Sequence, residues 1–288
     1  MSPPDEYGVI GHPISHSRSP FIHARFAAAT GQNLAYRAHD VAPGELAGFI
    51  GAFALRGGLG LNVTVPHKVA AAALAQGLSE RARRAGAINT LIFRNGEILA
   101  DNTDGVGLVR DLTVNLGCEL TGRRILIAGN GGAARGVIGP LLELLPACIL
   151  VAGRTPARAV ELAREFADLG PVRGCALADV AAGTGVWAGA DAGTAGPFDL
   201  VINATSAGLG AEVAAIPAAA VGAGTFCYDM MYGHGETAFV AWARARGAAH
   251  AVAGWGMLVE QAAESFLLWR GVRPDTAPVL AELMAGAP

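Results

Sequence analysis

An apolar run, Ile125-Leu126-Ile127-Ala128, passes directly into Gly129-Asn130-Gly131-Gly132-Ala133-Ala134 and then into a helical stretch. By its composition the run is a buried strand, and the glycines after it permit a turn tight enough for a helix to start at once. The spacing Gly-x-Gly-x-x-Ala brings backbone close to any ligand at the helix N-terminus, where free N–H groups suit a pyrophosphate. A second apolar run, Cys148 to Ala152, completes the order strand, loop, helix, strand. That order predicts a Rossmann-like α/β layer with a nucleotide at Gly129, Asn130, Gly131, Gly132 and Ala133.

The second run ends in Gly153-Arg154-Thr155-Pro156-Ala157-Arg158. A carboxylate at this strand end would bind the ribose 2′-hydroxyl of NAD, whereas an arginine favours the 2′-phosphate of NADP. There is no acid here and there are two arginines, so NADP is the expected cofactor, held in part by Gly153, Arg154, Thr155 and Arg158. The plainer alternative is that Arg154 simply ends a strand and Arg158 lies on an exposed helix face.

Three polar clusters interrupt the apolar segments of the first hundred residues. Leu61-Asn62-Val63-Thr64-Val65-Pro66-His67-Lys68 and Asp101-Asn102-Thr103-Asp104-Gly105 carry the groups needed to bind a small polyhydroxylated molecule and move a proton, with Lys68 and Asp104 as an acid/base pair. As alternatives, Pro66 starts a helix capped by Thr64 or Val65, and Asp104 caps the next one. The third cluster runs from Gly11 to Pro20 and includes Ser15, Ser17 and Ser19; Ser19-Pro20 also reads as an N-cap followed by Pro. His12 and His16 have the spacing of helical metal ligands, but Pro13 opposes a helix and no Cys or carboxylate joins them, so no metal site is expected.

With 288 residues the chain can form two domains that each bury a core. Short strands at Tyr7 to Ile10, Ala35 to His39 and Leu59 to Val63 alternate with helices near 20–30 and 43–55, which predicts parallel strands. Asn95-Gly96 predicts a type I′ hairpin and hence an antiparallel piece. A helix from Asp104 to about Leu116 opens a second series, which places the boundary near 103. Later strands are expected at Phe198 to Ile202 and Phe226 to Met230, and a helical period runs from Gly254 through Trp269. Residues 181–197, rich in Gly and Ala around Trp187, read as a surface excursion without function.

Net charge is −3 with 16% charged residues, so no basic stripe for nucleic acid exists and the expected partner is a small molecule. Mean hydropathy is +0.39, yet no apolar run of about 18 residues is free of Pro, Gly and charge, so no membrane span is expected. The first residues, Met1-Ser2-Pro3-Pro4-Asp5-Glu6, lack the parts of a signal peptide, which points to the cytoplasm. Cys118, Cys148, Cys175 and Cys227 stand singly and are expected to be buried free thiols.

In order and spacing, Ser17-x-Ser19-Pro20, Asn62-x-Thr64-x-Pro66-x-Lys68, Gly86-Ala87-Ile88-Asn89-Thr90 and Asn102-Thr103-Asp104-Gly105 resemble the substrate-domain motifs of shikimate dehydrogenases. The resemblance continues through Asn203-Ala204-Thr205-Ser206, Asp229-Met230-Met231-Tyr232 and Gly254-x-Gly256-Met257-Leu258-Val259-x-Gln261-Ala262, nearly the whole chain. It implies a two-domain α/β enzyme, with residues 1–103 completed by 254–288 for substrate and 104–253 for NADP, a cleft between them and a C-terminal helix returning to the first domain. It implies NADPH-dependent, reversible reduction of 3-dehydroshikimate to shikimate, a step of aromatic amino acid biosynthesis, with Lys68 moving the proton and Asp104 holding it in register. The same resemblance assigns Ser17 and Ser19 to the substrate carboxylate, and Asn62, Thr64, Asn89, Asp104 and Gln261 to ring hydroxyls, with Tyr232 nearby. Met230 and Gly254 fall beside the nicotinamide, and Glu80 matches a weaker cofactor contact or is a plain surface residue. Two positions depart from the pattern: Asn130 where Ala is usual, and Gly153 where Asn is frequent. A quinate-preferring NAD enzyme and a non-catalytic metabolite sensor are the alternatives, and the oligomeric state, a homodimer included, is left open.

Overall fold

The computed structural model describes residues 2–182, 196–205, 215–233 and 235–286. It divides into two compact units, Met1–Asp111 with Gly256–Pro288, and Leu112–Trp255.

In the first unit β1 (Asp5–Gly11), α1 (Ser19–Thr30), β2 (Leu34–Asp40), α2 (Leu46–Leu55) and β3 (Gly60–Val63) form a parallel βαβαβ arrangement. Then come α3 (Lys68–Ala72), β4 (Gly77–Leu78), α4 (Glu80–Ala85), β5 (Thr90–Arg94) and β6 (Glu97–Asp101), giving the strand order β2-β1-β3-β5-β6-β4. The expected hairpin is present: Arg94 pairs with Glu97, and the two residues between them, Asn95 and Gly96, have φ of 54° and 80°. Those positive values are what a type I′ turn requires, and they make β5 antiparallel to β3 and β6. The alternative of a helix starting at Pro66 is not observed, for α3 begins at Lys68 with His67 as its N-cap.

The next helix, α5 (Asp104–Arg110), continues as a π-helical turn over Asp111–Asn115. It belongs to the first unit, so the structural division falls at Asp111 rather than near 103. The reason is its docking on the C-terminal helix: Gly107 lies so close to Gln261 that a Cβ would meet that residue's backbone N at 2.7 Å. In addition, Arg110 Nε bonds the buried carboxylate of Glu260 at 3.1 Å.

In the second unit β7 (Arg124–Ala128), α6 (Gly132–Leu142), β8 (Cys148–Gly153), α7 (Pro156–Glu165), β9 (Val172–Ala176), β10 (Leu200–Asn203), β11 (Phe226–Asp229), α8 (Ala238–Ala245) and β12 (His250–Ala253) build one all-parallel sheet in the order β12-β11-β10-β7-β8-β9. Read from β9, this is the 3-2-1-4-5-6 order of a Rossmann fold, and the order reverses between β7 and β10. Because helices cover a parallel sheet on both faces, β7 and β10 read as continuous apolar runs rather than alternating ones. The excursion expected at 181–197 lies largely outside the described residues. Among the described residues no helix is long and apolar enough to cross a membrane.

The chain finishes with α9 (Trp255–Arg270) and α10 (Ala277–Met284), and most of α9 packs on the first unit. Trp269 Nε1 donates to Leu91 O at 2.9 Å while its indole lies 4.9 Å from the Tyr7 ring, and Arg270 bonds Asp5 at 2.5 Å and Gln32 at 2.7 Å. His23 of α1 lies against this contact, stacked 4.1 Å from the Tyr36 ring and 5.4 Å from Trp269, with neither ring nitrogen hydrogen-bonded. Burial lowers its pKa to about 3, against the opposing effect of the nearby Asn62 side chain. A neutral imidazole without partners in an aromatic cage is a cost to the fold.

That cost has a pH signature. The folded value of about 3 lies below the ordinary 6.5, so between them only the unfolded chain takes up the proton and the fold weakens as pH falls. Between pH 7 and pH 5 the parent should lose about 2 kcal/mol more unfolding free energy than His23→Phe. Chemical denaturation of both proteins at the two pH values checks this; parallel losses would mean that His23 protonates in the fold.

Candidate active site

Lys68 opens α3 just after β3, and Asp104 opens α5 just after β6, so the carboxyl ends of two strands that flank β5 and run in the same direction present them. Lys68 Nζ donates to Asp104 Oδ2 at 2.5 Å, with side chains 15% and 5% exposed. Neither expected capping alternative is seen: the N-cap of α5 is Thr103, without a side-chain bond, and Asp104 turns its carboxylate to Lys68. An ammonium and a carboxylate this buried depend on one another, because removing either leaves the other desolvated and unpaired.

Asn89 fixes the carboxylate from the other side. Its Oδ1 accepts from Thr103 N at 2.8 Å, a group that can only donate, so the opposite amide atom is nitrogen and donates to Asp104 Oδ1 at 2.9 Å. Asn89 Nδ2 also lies 2.8 Å from Thr103 Oγ1 and 3.1 Å from Gln261 Oε1, and Gln261 Nε2 caps Leu258 O at 2.8 Å. Lys68, Asn89, Asp104 and Gln261, remote in sequence, therefore stand together as expected from the motifs.

Asn62 is held by several protein groups. It is buried, its Oδ1 accepts from the Tyr36 hydroxyl at 2.6 Å, and its Nδ2 is shared by Asn89 O, Ser265 Oγ and Thr90 Oγ1 at 3.1, 3.0 and 3.3 Å. These bonds make its amide part of the framework beside Asn89. Thr64 is half-buried, and no hydrogen bond of its side chain is found among the described residues. Ser17 and Ser19 lie after β1; Arg18, not Ser19, is the N-cap of α1, and Ser17 Oγ accepts from Ser19 N at 3.3 Å. Glu80 is exposed at the start of α4 and pairs with Arg83. His12 pairs with Asp40 at 2.6 Å.

In the second unit the cofactor candidates lie at the carboxyl ends of the strands, where open parallel sheets bind ligands. Gly129 has φ of +123°, and a Cβ on it would meet Ala204 O at 2.7 Å. Gly131 is exposed at the N-cap of α6, and a Cβ there would meet nothing within 4 Å. The loop therefore leaves open space beside helix N–H groups, which fits a pyrophosphate. Arg154, Thr155 and Arg158 are exposed beyond β8, and neither arginine has an ion-pair partner among the described residues, which fits a 2′-phosphate. The two departures from the family pattern meet here: the Asn130 amide lies over Gly153, where a Cβ would collide with it, and reaches Thr155 O at 3.4 Å.

At the ends of β10 and β11, Asn203 Nδ2 donates to Asp229 Oδ1 at 3.0 Å, and Asp229 also accepts from Met231 N at 3.1 Å and Thr237 Oγ1 at 2.7 Å. Burial pushes the Asp229 carboxyl up, and the same three donors oppose the shift. This pair shapes the turn that carries Met230 and Tyr232, the latter 4.9 Å from Trp255, while Gly254 N bonds Met231 O at 2.9 Å. Ser206 of the quoted motif lies outside the described residues. Sequence reasoning gave no role to Asp229, Thr90, Thr103 or Ser265, although the first three lie inside quoted motifs and Ser265 is one helical turn beyond Gln261.

Residues 9–91 match the shikimate dehydrogenase substrate binding domain and residues 254–284 match the shikimate 5′-dehydrogenase C-terminal domain. A shikimate dehydrogenase (NADP(+)) from Hahella chejuensis is 51% identical over 282 residues, 98% of this chain and 99% of that one. The chain belongs to the shikimate dehydrogenase family. Two solved relatives cover it almost completely. An Ael1 enzyme from Pseudomonas putida is 42% identical, covering 97% of this chain and 98% of its own with a TM-score of 0.85. A shikimate 5-dehydrogenase from Thermus thermophilus, solved with NADP(H) and shikimate, is 31% identical, covering 98% and 99% with a TM-score of 0.82.

The two loop glycines of this family member should fail differently when given side chains. Gly131→Val should fold with an unchanged Tm and lose dinucleotide binding, since its side chain enters only the space left for phosphate, whereas Gly129→Ala should lower Tm. Thermal melts with dinucleotide titrations separate them, and a Gly131→Val protein that binds like the parent would place the phosphates elsewhere.

Proposed function

We propose that the chain catalyses the reversible, NADPH-dependent reduction of 3-dehydroshikimate to shikimate, and that Lys68 is its proton donor and acceptor. The observation that carries the role of Lys68 is the buried bond between Lys68 Nζ and Asp104 Oδ2 at 2.5 Å, beside the Asn89 and Gln261 amides. When bound, NADPH supplies the hydride to the carbonyl carbon. Lys68 then gives its proton to the oxygen as negative charge develops there, and takes it back when shikimate is oxidised. Asp104 keeps the ammonium in place and, with Asn89 and Gln261, meets ring hydroxyls. Ser17 and Ser19 hold the substrate carboxylate and Thr64 a hydroxyl.

Gly129 to Ala133 would hold the pyrophosphate, Arg154, Thr155 and Arg158 the 2′-phosphate, and Met230 and Gly254 the nicotinamide. The arginines beyond β8, in a place where an NAD enzyme carries an acid, support NADP over NAD. Arg154→Ala should weaken NADP by roughly ten- to 150-fold, the worth of a charged hydrogen bond, and leave NAD nearly unchanged. Kd values for both cofactors test this, and equal losses would refute the 2′-phosphate contact.

Lys68→Ala should lower kcat by about 10²–10⁴ with a small change in substrate affinity. Asp104→Asn should be comparably harmful, and the double variant scarcely worse than the poorer single one, because the pair acts as a unit. Steady-state kinetics on the three proteins decide the matter: a Lys68→Ala enzyme keeping a tenth or more of its kcat would remove the proton-transfer role.

A further inference from the structure

Behind the Lys68–Asp104 pair lie Tyr36, Asn62, Thr90 and Ser265, polar groups bonded to protein atoms; Thr90 and Ser265 are completely buried. Their donors and acceptors can be assigned from what each group is able to give. Tyr36 Oη donates to Asn62 Oδ1 at 2.6 Å, and Asn62 Nδ2 donates to Ser265 Oγ at 3.0 Å. Ser265 Oγ is 2.8 Å from Thr90 Oγ1, and Thr90 Oγ1 is 3.0 Å from Asn89 Oδ1, a pure acceptor, so Thr90 donates to Asn89. Gln261 O accepts from both the Thr103 and Ser265 hydroxyls at 3.0 Å, so the Ser265 hydrogen is shared between Gln261 O and Thr90 Oγ1, and Asn62 Nδ2 also reaches Thr90 Oγ1 directly at 3.3 Å. Donation therefore runs from Tyr36 through Asn62 to Thr90, which Ser265 Oγ braces, and from Thr90 through Asn89 to the Asp104 carboxylate. In such a chain each bond polarises the next.

The last link matters most. Asn89 Oδ1 receives Thr103 N and the Thr90 hydroxyl together, and two donors on the oxygen keep the amide hydrogens directed at Asp104. With one donor lost, the carboxamide is held on one side only and Asp104 can drift from Lys68. We infer that Thr90 and Ser265 are positioning residues for proton transfer: their hydroxyls hold the Asn89 carboxamide so that it aims Asp104, and through it Lys68, at the substrate oxygen. The inference rests on the reading of Lys68 as proton donor.

Kinetics with shikimate and NADP on the full chain test it. Thr90→Val keeps the shape and loses the hydroxyl; kcat should fall about five- to tenfold, the worth of one hydrogen bond, with KM within about twofold. Thr90→Ser keeps the hydroxyl, loses a methyl, and should retain most of kcat even at a lower Tm. A packing role predicts the reverse order, and that result would overturn the inference. Ser265→Ala should lower kcat in the same direction by about two- to fivefold; it provides the reading if Thr90→Val does not fold, and a parental kcat there would count against the chain of bonds. Combined with Lys68→Ala, Thr90→Val should add nothing, since it acts through the missing amine, and a second full loss would show that it acts elsewhere. Lys68→Ala measured alongside separates the two claims. If it keeps its rate, the underlying reading fails; if it is crippled while Thr90→Val matches the parent, only the inference fails.

Discussion

A carboxamide that cannot turn is the constraint on which the first unit depends. Asn89 sits at the end of the loop before β5, and its amide joins the turn at Thr103–Asp104 to α9 through Gln261. Three segments distant in sequence thereby share one group that is almost inaccessible to water. A buried polar atom left without a partner costs about 1–3 kcal/mol, so the segments settle together or not at all. Acid/base geometry and fold are for this reason the same problem: the arrangement that satisfies Asn89 is also the one that brings Asp104 to Lys68.

A chain of alternating charge reinforces that arrangement. Asp101 takes a two-pronged bond from Arg81 at 2.6 and 2.9 Å, Arg81 reaches Glu264, Arg273 spans Glu264 and Glu260 at 2.7 Å each, and Arg110 closes on Glu260. It links α4, β6, α9, the segment after α9 and α5. Glu260 is 1% exposed and would be intolerable alone; two arginines and the Thr276 hydroxyl at 2.7 Å make it tolerable. Asp101 lies three residues before Asp104, and Glu260 lies beside Gln261, so the ion pairs determine where the functional groups start from without touching them.

The parts of the structure that were legible in the sequence are those with a local physical cause. Strand, glycine loop and helix at 125–134 follow from chain stiffness and backbone access, and the hairpin at Asn95–Gly96 from the positive φ that its turn requires. The short β4, and β9 with Arg173 and Gly174 inside it, escaped because their cause is tertiary: each is completed by a neighbour rather than by its own pattern. The helix after Asp104 was legible, but its membership of the first unit was not, since that is decided by contacts with Gln261 and Glu260 some 150 residues later. In the site, motifs named residues that the fold brings together, while the bonds among them needed coordinates. Asn62 stands in a motif, and only coordinates show the four bonds that tie its amide to protein.

The overlap of Asn130 with Gly153 has a consequence for how this molecule can change. Each residue is permitted by the other: a side chain at 153 has no room while the amide of 130 rests there, and the amide has a place only because 153 is bare. A side chain at 153 would have to push aside the end of the Asn130 side chain, whereas a smaller residue at 130 leaves Gly153 unobstructed, so the fit at one position depends on the other. A redesign of the loop beside Arg154 therefore has to choose residues 130 and 153 together.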